Sequence, residues 1–213
     1  MQLTKYAHAC VSLAGDQGRI VIDPGTLTPD AADAVAAAEA VLITHEHFDH
    51  FDEELLAQAL QARPELRVYG PESVVGRWQA RRGQVTAVAA GDRIAVAGFD
   101  IGVFGELHAM IHRDMPRVAN VGYLVDERVY HPGDAYHVPD APVETLLLPT
   151  SGPWAKLGEG VDYVREVAPK QAVQIHELLL SDLGQQMTRQ MVGQGGLTDV
   201  PVTIVPIGET ITV

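Results

Sequence analysis

Short apolar runs in this chain repeatedly end on an aspartate or a histidine, and that repetition constrains the fold more than any other feature. Ile20-Val21-Ile22 leads into Asp23. Ala40-Val41-Leu42-Ile43 leads into Thr44-His45-Glu46-His47-Phe48-Asp49-His50. Ile101–Leu107 leads into His108, Arg128–Tyr130 into His131-Pro132-Gly133-Asp134, and Ala172–Ile175 into His176. Apolar runs of this length, bounded by turn residues, read as β-strands. Ligand-type residues at the carboxyl ends of strands fit a layered α/β protein, because those ends line the functional crevice. A strand-rich middle between segments where strands precede helices predicts an α/β class with mixed sheets.

The remaining pattern fills in that frame. Cys10–Leu13 and Arg19–Ile22 flank the turn Gly15-Asp16-Gln17-Gly18 and predict a hairpin. Helices are expected over Pro29–Ala38 with Thr28 as N-cap, from Asp52 through Gln61, and over Glu72–Arg82 behind Pro71. Further strands are expected at Val41–Thr44, Arg67–Tyr69, Val85–Ala89, Arg93–Ala97, Ile101–Leu107, Val118–Val125, Arg128–Tyr130 and Thr145–Leu148. The second half predicts helices near Val161–Val167 and Ser181–Val192, with strands at Ala172–Ile175, Val202–Val205 and Thr210–Val213. No linker or boundary interrupts the pattern, so one domain over residues 1–213 is expected.

The densest chemistry lies in the loop His45 to His50. Imidazole and carboxylate together suit zinc, iron or manganese. In an extended segment His45 and His47 face the same way, whereas Asp49 and His50 point apart. One loop therefore offers ligands to two neighbouring metals.

Charge and cysteine content narrow the field. The formal net charge is −13, from 15 Lys and Arg against 28 Asp and Glu. Nucleic-acid binding leans on clustered cations, and Arg77, Arg81 and Arg82 form the only dense basic cluster. Nucleic acid is therefore not an expected partner. Cys10 is the single cysteine, which excludes an intrachain disulfide and a thiolate zinc site. No apolar run approaches the roughly 18 residues of a membrane span, and the start Met1–His8 lacks the pattern of a secretory signal. A cytoplasmic location is the expectation. A Gly-x-Ser-x-Gly elbow and a phosphate-loop motif are both missing.

The series Asp23, His45-x-His47-x-Asp49-His50, His108, Asp134 and His176 resembles the five motifs of the metallo-β-lactamase superfamily, in order and approximate spacing, over essentially the whole chain. The resemblance implies a four-layer αββα sandwich, two mixed β-sheets flanked by helices, with metals in a cleft at one edge. It implies one metal held by His45, His47 and His108, a second held by Asp49, His50 and His176, and Asp134 between them. Asp23 would hold the ligand loop by hydrogen bonds, as such partners orient ligands and tune their basicity. Two divalent cations are implied, zinc first, with Mn2+ or Fe2+ suited to the same ligands.

Neighbouring residues point to a branch. Tyr6-Ala7-His8-Ala9-Cys10 resembles the Gly-His-Ser or Gly-His-Ala segment of the branch containing ascorbate-6-phosphate lactonase and the N-acyl-phosphatidylethanolamine-hydrolysing phospholipase D, with Ala7 where glycine is common. His8 is then expected to approach the metals from the first strand. His112, one helical turn after His108, together with Trp154 and Lys156, is expected at the substrate pocket. His131 and His137 flank Asp134 and are candidates to support it.

The implied chemistry is hydrolysis. Two cations about 3.5–4 Å apart share a water and lower its pKa toward about 7, and the resulting hydroxide attacks a carbonyl carbon or a phosphorus. Asp49 and Asp134 are the expected catalytic carboxylates, Asp49 orienting the nucleophile and taking up a proton. A small ester, lactone or phosphodiester is the expected substrate, and a homo-oligomer is compatible with so short a chain. Three other readings compete. An iron-dependent, dioxygenase-like redox member would share the ligands, although flavodiiron relatives carry glutamate where this chain has His47. A nuclease would need a basic docking surface. A metal-binding interaction protein would lack turnover.

Overall fold

The computed structural model describes residues 1–81 and 83–213. Arg82, part of the basic cluster and of the helix expected over Glu72–Arg82, lies outside the described residues.

The first half of the chain builds one sheet. Its strands are β1 Gln2–Lys5, β2 Val11–Ala14, β3 Arg19–Ile22, β4 Ala40–Leu42, β5 Arg67–Gly70 and β6 Val85–Ala87. The second half builds the other, from β7 Arg93–Val96, β8 Phe99–Phe104, β9 Gly122–Val125, β10 Val129–His131, β11 Thr145–Pro149, β12 Gln171–Ile175 and β13 Val202–Thr203. The last strand, β14 Thr210–Thr212, returns to the first sheet. The orders are β14-β1-β2-β3-β4-β5-β6 and β13-β12-β11-β10-β9-β8-β7.

Both sheets follow one plan. From β14 to β3, and from β7 to β10, the pairings are antiparallel; beyond β3 and β10 they are parallel. Parallel neighbours need crossovers, which helices supply for every parallel pair except β10 and β11, joined by the loop 132–144. The helices are α1 Ala31–Ala36, α2 Glu53–Ala62, α3 Glu72–Val75, α4 Leu157–Val167 and α5 Asp182–Val192.

Strand alternation sorts the side chains into layers. Leu3, Leu13, Ile20, Ile22 and Leu42 of one sheet meet Ile101, Val103, Tyr123, Leu147 and Ile175 across the central core. On the outer face of the first sheet, Val41, Ile43 and Val68 pack against Leu56 and Leu60 of α2 and Val74 of α3. On the second, Leu124, Leu146 and Ala172 pack against Val161 and Val164 of α4 and Val192 of α5. The architecture is thus αββα, with the central strands β4, β9, β10 and β11 buried on both faces.

Helix α2 shows how local sequence sets an element. Asp52 Oδ1 accepts from the Leu55 N–H at 3.0 Å, a cap worth about 1 kcal/mol. Several boundaries differ from expectation for identifiable reasons. The helix expected over Glu72–Arg82 stops at Val75 and continues as a 3-10 turn over Gly76–Arg81, kinked at Trp78, whose ring packs edge-on against Phe51. Asp30, not Thr28, precedes α1, because the Thr28 hydroxyl donates to the Ala7 carbonyl. Strand β8 ends before Gly105, where φ is +74°, rather than at Leu107. Strand β9 begins only at Gly122, because Asn120 turns away to hold the Asp134 loop. Strand β1, which sequence patterning misses, carries the fully buried Lys5.

No helix among the described residues is long and apolar enough to cross a membrane.

Candidate metal centre

The ligand-type residues converge at one edge of the sandwich, beyond the strands where each sheet turns from antiparallel to parallel. Asp23 follows β3, His45 to His50 follow β4, Asp134 follows β10 and His176 follows β12. His8 lies in the turn between β1 and β2. His108 arrives four residues past β8, held by the bridge between Leu107 and Ala119 and by its own N–H donating to Val118.

Three overlapping groups of side chains have donor atoms within 4.8 Å of one another: His45, His47 and His108; His8, Asp49, His50 and His176; and His45, His50 and Asp134. Asp134 thus lies beside a histidine from each of the other two groups. Within the first, His45 Nε2 and His47 Nδ1 are 3.1 Å apart. Ligands about 2.0–2.1 Å from a tetrahedral ion stand at comparable separations.

Several buried polar atoms lack a hydrogen-bond partner: His50 Nε2, His176 Nε2 and Asp134 Oδ1. His50 Nε2 and Asp134 Oδ1 are 3.0 Å apart, and His176 Nε2 is 3.1 Å from Asp134 Oδ2, yet neither histidine nitrogen is aligned as a donor. Such orphans are costly unless something occupies the space they share. A cation fits that space and its donor set.

The surrounding hydrogen bonds leave the converging nitrogens free. His50 Nδ1 faces Asp23 Oδ2 at 2.6 Å, and His108 Nδ1 faces the Ala109 carbonyl at 2.6 Å. With Nδ1 placed as the donor, the neutral form of each ring leaves its Nε2 lone pair for a cation. Asp23, fully buried, also accepts from the Thr44 N–H at 2.8 Å and the Thr44 hydroxyl at 2.7 Å. His8 Nε2 lies 3.1 Å from Asp49 Oδ2. The Trp154 indole donates to Asp134 Oδ2 at 2.9 Å. His131 is buried between the Ala9 carbonyl and the Gly133 N–H, at 2.9 and 3.1 Å, and so shapes the Asp134 loop.

Electrostatics follow this geometry. Burial works against the charge of Asp49, but His176 and His8 hold its carboxyl well below the usual carboxylate range. Burial likewise opposes ionisation of Asp134, and His50 and His176 overcome it. His50 is pushed up, Asp134 and Asp23 outweighing burial. His45 and His47 are pushed down by burial and by neighbouring histidines, which keeps them neutral and able to ligate.

Three of the seven non-glycine residues with positive φ among the described residues lie here. His8, Asp23 and His176 adopt φ of +59°, +53° and +57°, conformations that cost about 1–3 kcal/mol each and cluster at functional sites. The first and last are locked together. The His176 N–H donates to the His8 carbonyl at 3.0 Å, and Glu177 Oε1 accepts from the His8 N–H at 3.2 Å and from Lys5 Nζ at 3.0 Å. Two glycines permit the packing. A Cβ on Gly25 would lie 2.1 Å from the Asp49 carbonyl oxygen. One on Gly133, at φ +66°, would lie 2.3 Å from Asn120 Oδ1, which accepts the Asp134 N–H.

Two expected pocket residues stand elsewhere. His112 is exposed and faces Asp114, because the segment after His108 bonds to Asp134 and Val118 backbone rather than coiling into a helix; Ile111 lines the cleft instead. Lys156 is exposed before α4 and pairs with Glu159 at 2.7 Å. Trp154 does line the cleft. His137 is half-buried and lines a separate hollow of about 800 Å³ with Phe104, Arg117 and Tyr136, which none of the converging histidines or aspartates reaches. Sequence reasoning missed Thr44, Lys5 and Glu177; a Thr just before the histidine cluster was the one available signal.

Comparison with known proteins agrees with this fold. The family described as the beta-lactamase superfamily domain matches residues 2–176. Protein Rv0786c of Mycobacterium tuberculosis is 36% identical over 187 residues, 85% of this chain and 86% of its own. A UPF0173 protein of Pyrococcus abyssi is 31% identical over 186 residues, 83% of each chain. Among solved structures, Igni18, a metallo hydrolase of Ignicoccus hospitalis, superposes with a TM-score of 0.75 at 20% identity, over 99% of this chain and 97% of its own. The chain therefore belongs to the metallo-β-lactamase superfamily. Within it, the chain is a member of the UPF0173 metal-dependent hydrolase family.

Proposed function

We propose that the chain is a dinuclear metal-dependent hydrolase that cleaves an ester, lactone or phosphodiester bond. The observation that carries this reading is the convergence of eight His and Asp side chains, His8 among them, in three overlapping groups, with unpartnered buried atoms facing a common space. His45, His47 and His108 would hold one cation, Asp49, His50 and His176 the other, and Asp134 would stand between them. When bound, the pair supplies a water acidic enough to act as nucleophile near neutral pH and polarises the electrophile's oxygen.

The chain's own residues do the rest. Asp49, ionised and fixed by His8, accepts a proton from the attacking water and orients it. Asp23 keeps His50 in the tautomer that leaves Nε2 free. Trp154 steadies Asp134 and excludes water from one side of the cleft. Zinc suits the site best, and manganese or iron the same donors less selectively.

The test is metal analysis of purified protein, followed by ester, lactone and phosphodiester substrates with and without chelator. Metal-dependent hydrolysis lost in His47→Ala is expected. Oxygen uptake without hydrolysis in the iron-loaded protein would replace the proposal with redox chemistry.

A further inference from the structure

The cleft over the converging ligands encloses about 510 Å³, within the range of small-molecule sites. Its floor is ligand chemistry, but its walls are Leu27, Phe48, Ile111, Pro153, Trp154 and Leu179. Phe48 and Leu179 stand 64% and 68% exposed at its mouth, so the apolar lining of the cleft continues out to its rim. Among the described residues, no lysine or arginine lines the cleft, and Glu46 is the one charged wall residue.

The nearby cations are committed elsewhere. Arg77 pairs with Glu46 and Glu53 at 2.9 and 2.6 Å, Arg117 donates to the His108 carbonyl, and Lys156 pairs with Glu159. Sites that bind phosphoryl groups surround them with Arg, Lys or oriented N–H donors. Among the described residues these walls carry no Lys or Arg side chain, and a phosphodiester placed against their apolar faces would lose hydration there.

Resting on the hydrolase reading above, we infer that the substrate is an uncharged carboxylic ester or lactone whose acyl part is apolar and lies against Phe48, Ile111, Trp154 and Leu179. In the reaction the acyl C–O bond breaks. The water's hydroxyl joins the carbonyl carbon, and its proton passes by way of Asp49 to the leaving oxygen, giving an acid and an alcohol from an ester or a single hydroxy acid from a lactone.

Two matched series on the metal-loaded protein test this: p-nitrophenyl acyl esters from acetate to octanoate, and p-nitrophenyl alkyl phosphodiesters of the same chain lengths. The expected result is a kcat/KM for the esters that rises about threefold to fourfold per methylene until the cleft is filled, with the phosphodiesters slower at every length. Phe48→Ser and Leu179→Ser, both at exposed positions, should flatten the rise. Faster phosphodiester cleavage, or an ester series with no dependence on chain length, overturns the inference and leaves the hydrolase proposal standing. Failure of a fully metal-loaded protein to cleave either series counts against the hydrolase proposal itself, and the inference falls with it.

Discussion

Replacing Asp23 with asparagine changes almost no volume, yet it should disarm one half of the centre. The carboxylate is buried and serves three donors: the Thr44 N–H, the Thr44 hydroxyl and His50 Nδ1. An amide can keep the first of these bonds with its oxygen. Its NH2 then faces the hydroxyl and the imidazole. The hydroxyl can rotate to accept, but His50 Nδ1 can accept only by giving up its proton, which moves the ring to the tautomer protonated at Nε2. That nitrogen is the one aimed at Asp134. Loss of a hydrogen bond to a charged group costs about 1.5–3 kcal/mol, and disturbing such a supporting bond typically weakens metal affinity about 10–100-fold, or roughly 1.4–2.8 kcal/mol. Two assays separate the effects: urea unfolding of the metal-free proteins, and competition of the loaded proteins against a chelator of known affinity. Asp23→Asn should release one metal much earlier than the wild type and hold the other. If both metals bind the variant as tightly as the wild type, the role assigned to Asp23 is wrong.

Other predictions follow the same geometry. His47→Ala and Asp134→Ala should abolish hydrolysis while circular dichroism shows an intact fold, because both side chains contribute to the site and not to the apolar layers. Lys5→Met should destabilise by about 3–5 kcal/mol in urea unfolding, because it leaves Glu177 buried without its cation, and adding Glu177→Gln, which removes the charge but keeps an acceptor for the His8 N–H, should recover part of the loss. Alkaline pH should destabilise the metal-free protein. Burial pushes the Cys10 thiol and the Tyr123, Tyr130, Tyr136 and Tyr163 phenols up, so the unfolded chain loses these protons first. Their contribution is complete below the unfolded values of roughly 8.5 and 10 and fades as pH rises above them, by up to about 1.4 kcal/mol per pH unit for each group. Lys5, pushed down by burial, opposes this with one proton. Urea midpoints should change little between pH 8 and 9.5, where Cys10 and Lys5 oppose each other one proton for one, and should fall by pH 10.5 as the four phenols come into play.

The ligand-type residues were legible because strand ends announce themselves: an apolar run stopping at Asp23, His45 or His176 shows both where a strand ends and what it carries. The sheet plan was legible for the same reason, apart from β1, whose buried Lys5 disguises it as a surface segment. What walls the cleft was not legible. Leu27, Phe48, Ile111 and Leu179 come from four separate loops and share no period. His112 illustrates the difficulty, since its spacing from His108 implies a helix turn only if the segment bonds to itself. Instead the Ala109 N–H donates to the Asp134 carbonyl and the chain runs irregular. Tertiary hydrogen bonds of this kind leave no local trace. Lys156 was misplaced for a similar reason, its nearest partner being Glu159 within the following helix.

Anomalous diffraction from crystals of the purified protein, collected at the absorption edges of zinc, iron and manganese, tests the central claim most directly. Two peaks about 3.5–4 Å apart should appear, one among His45, His47 and His108, the other among Asp49, His50 and His176, with Asp134 between them. A fully active protein with no peak there, or with one peak that Asp134 does not touch, would contradict the account.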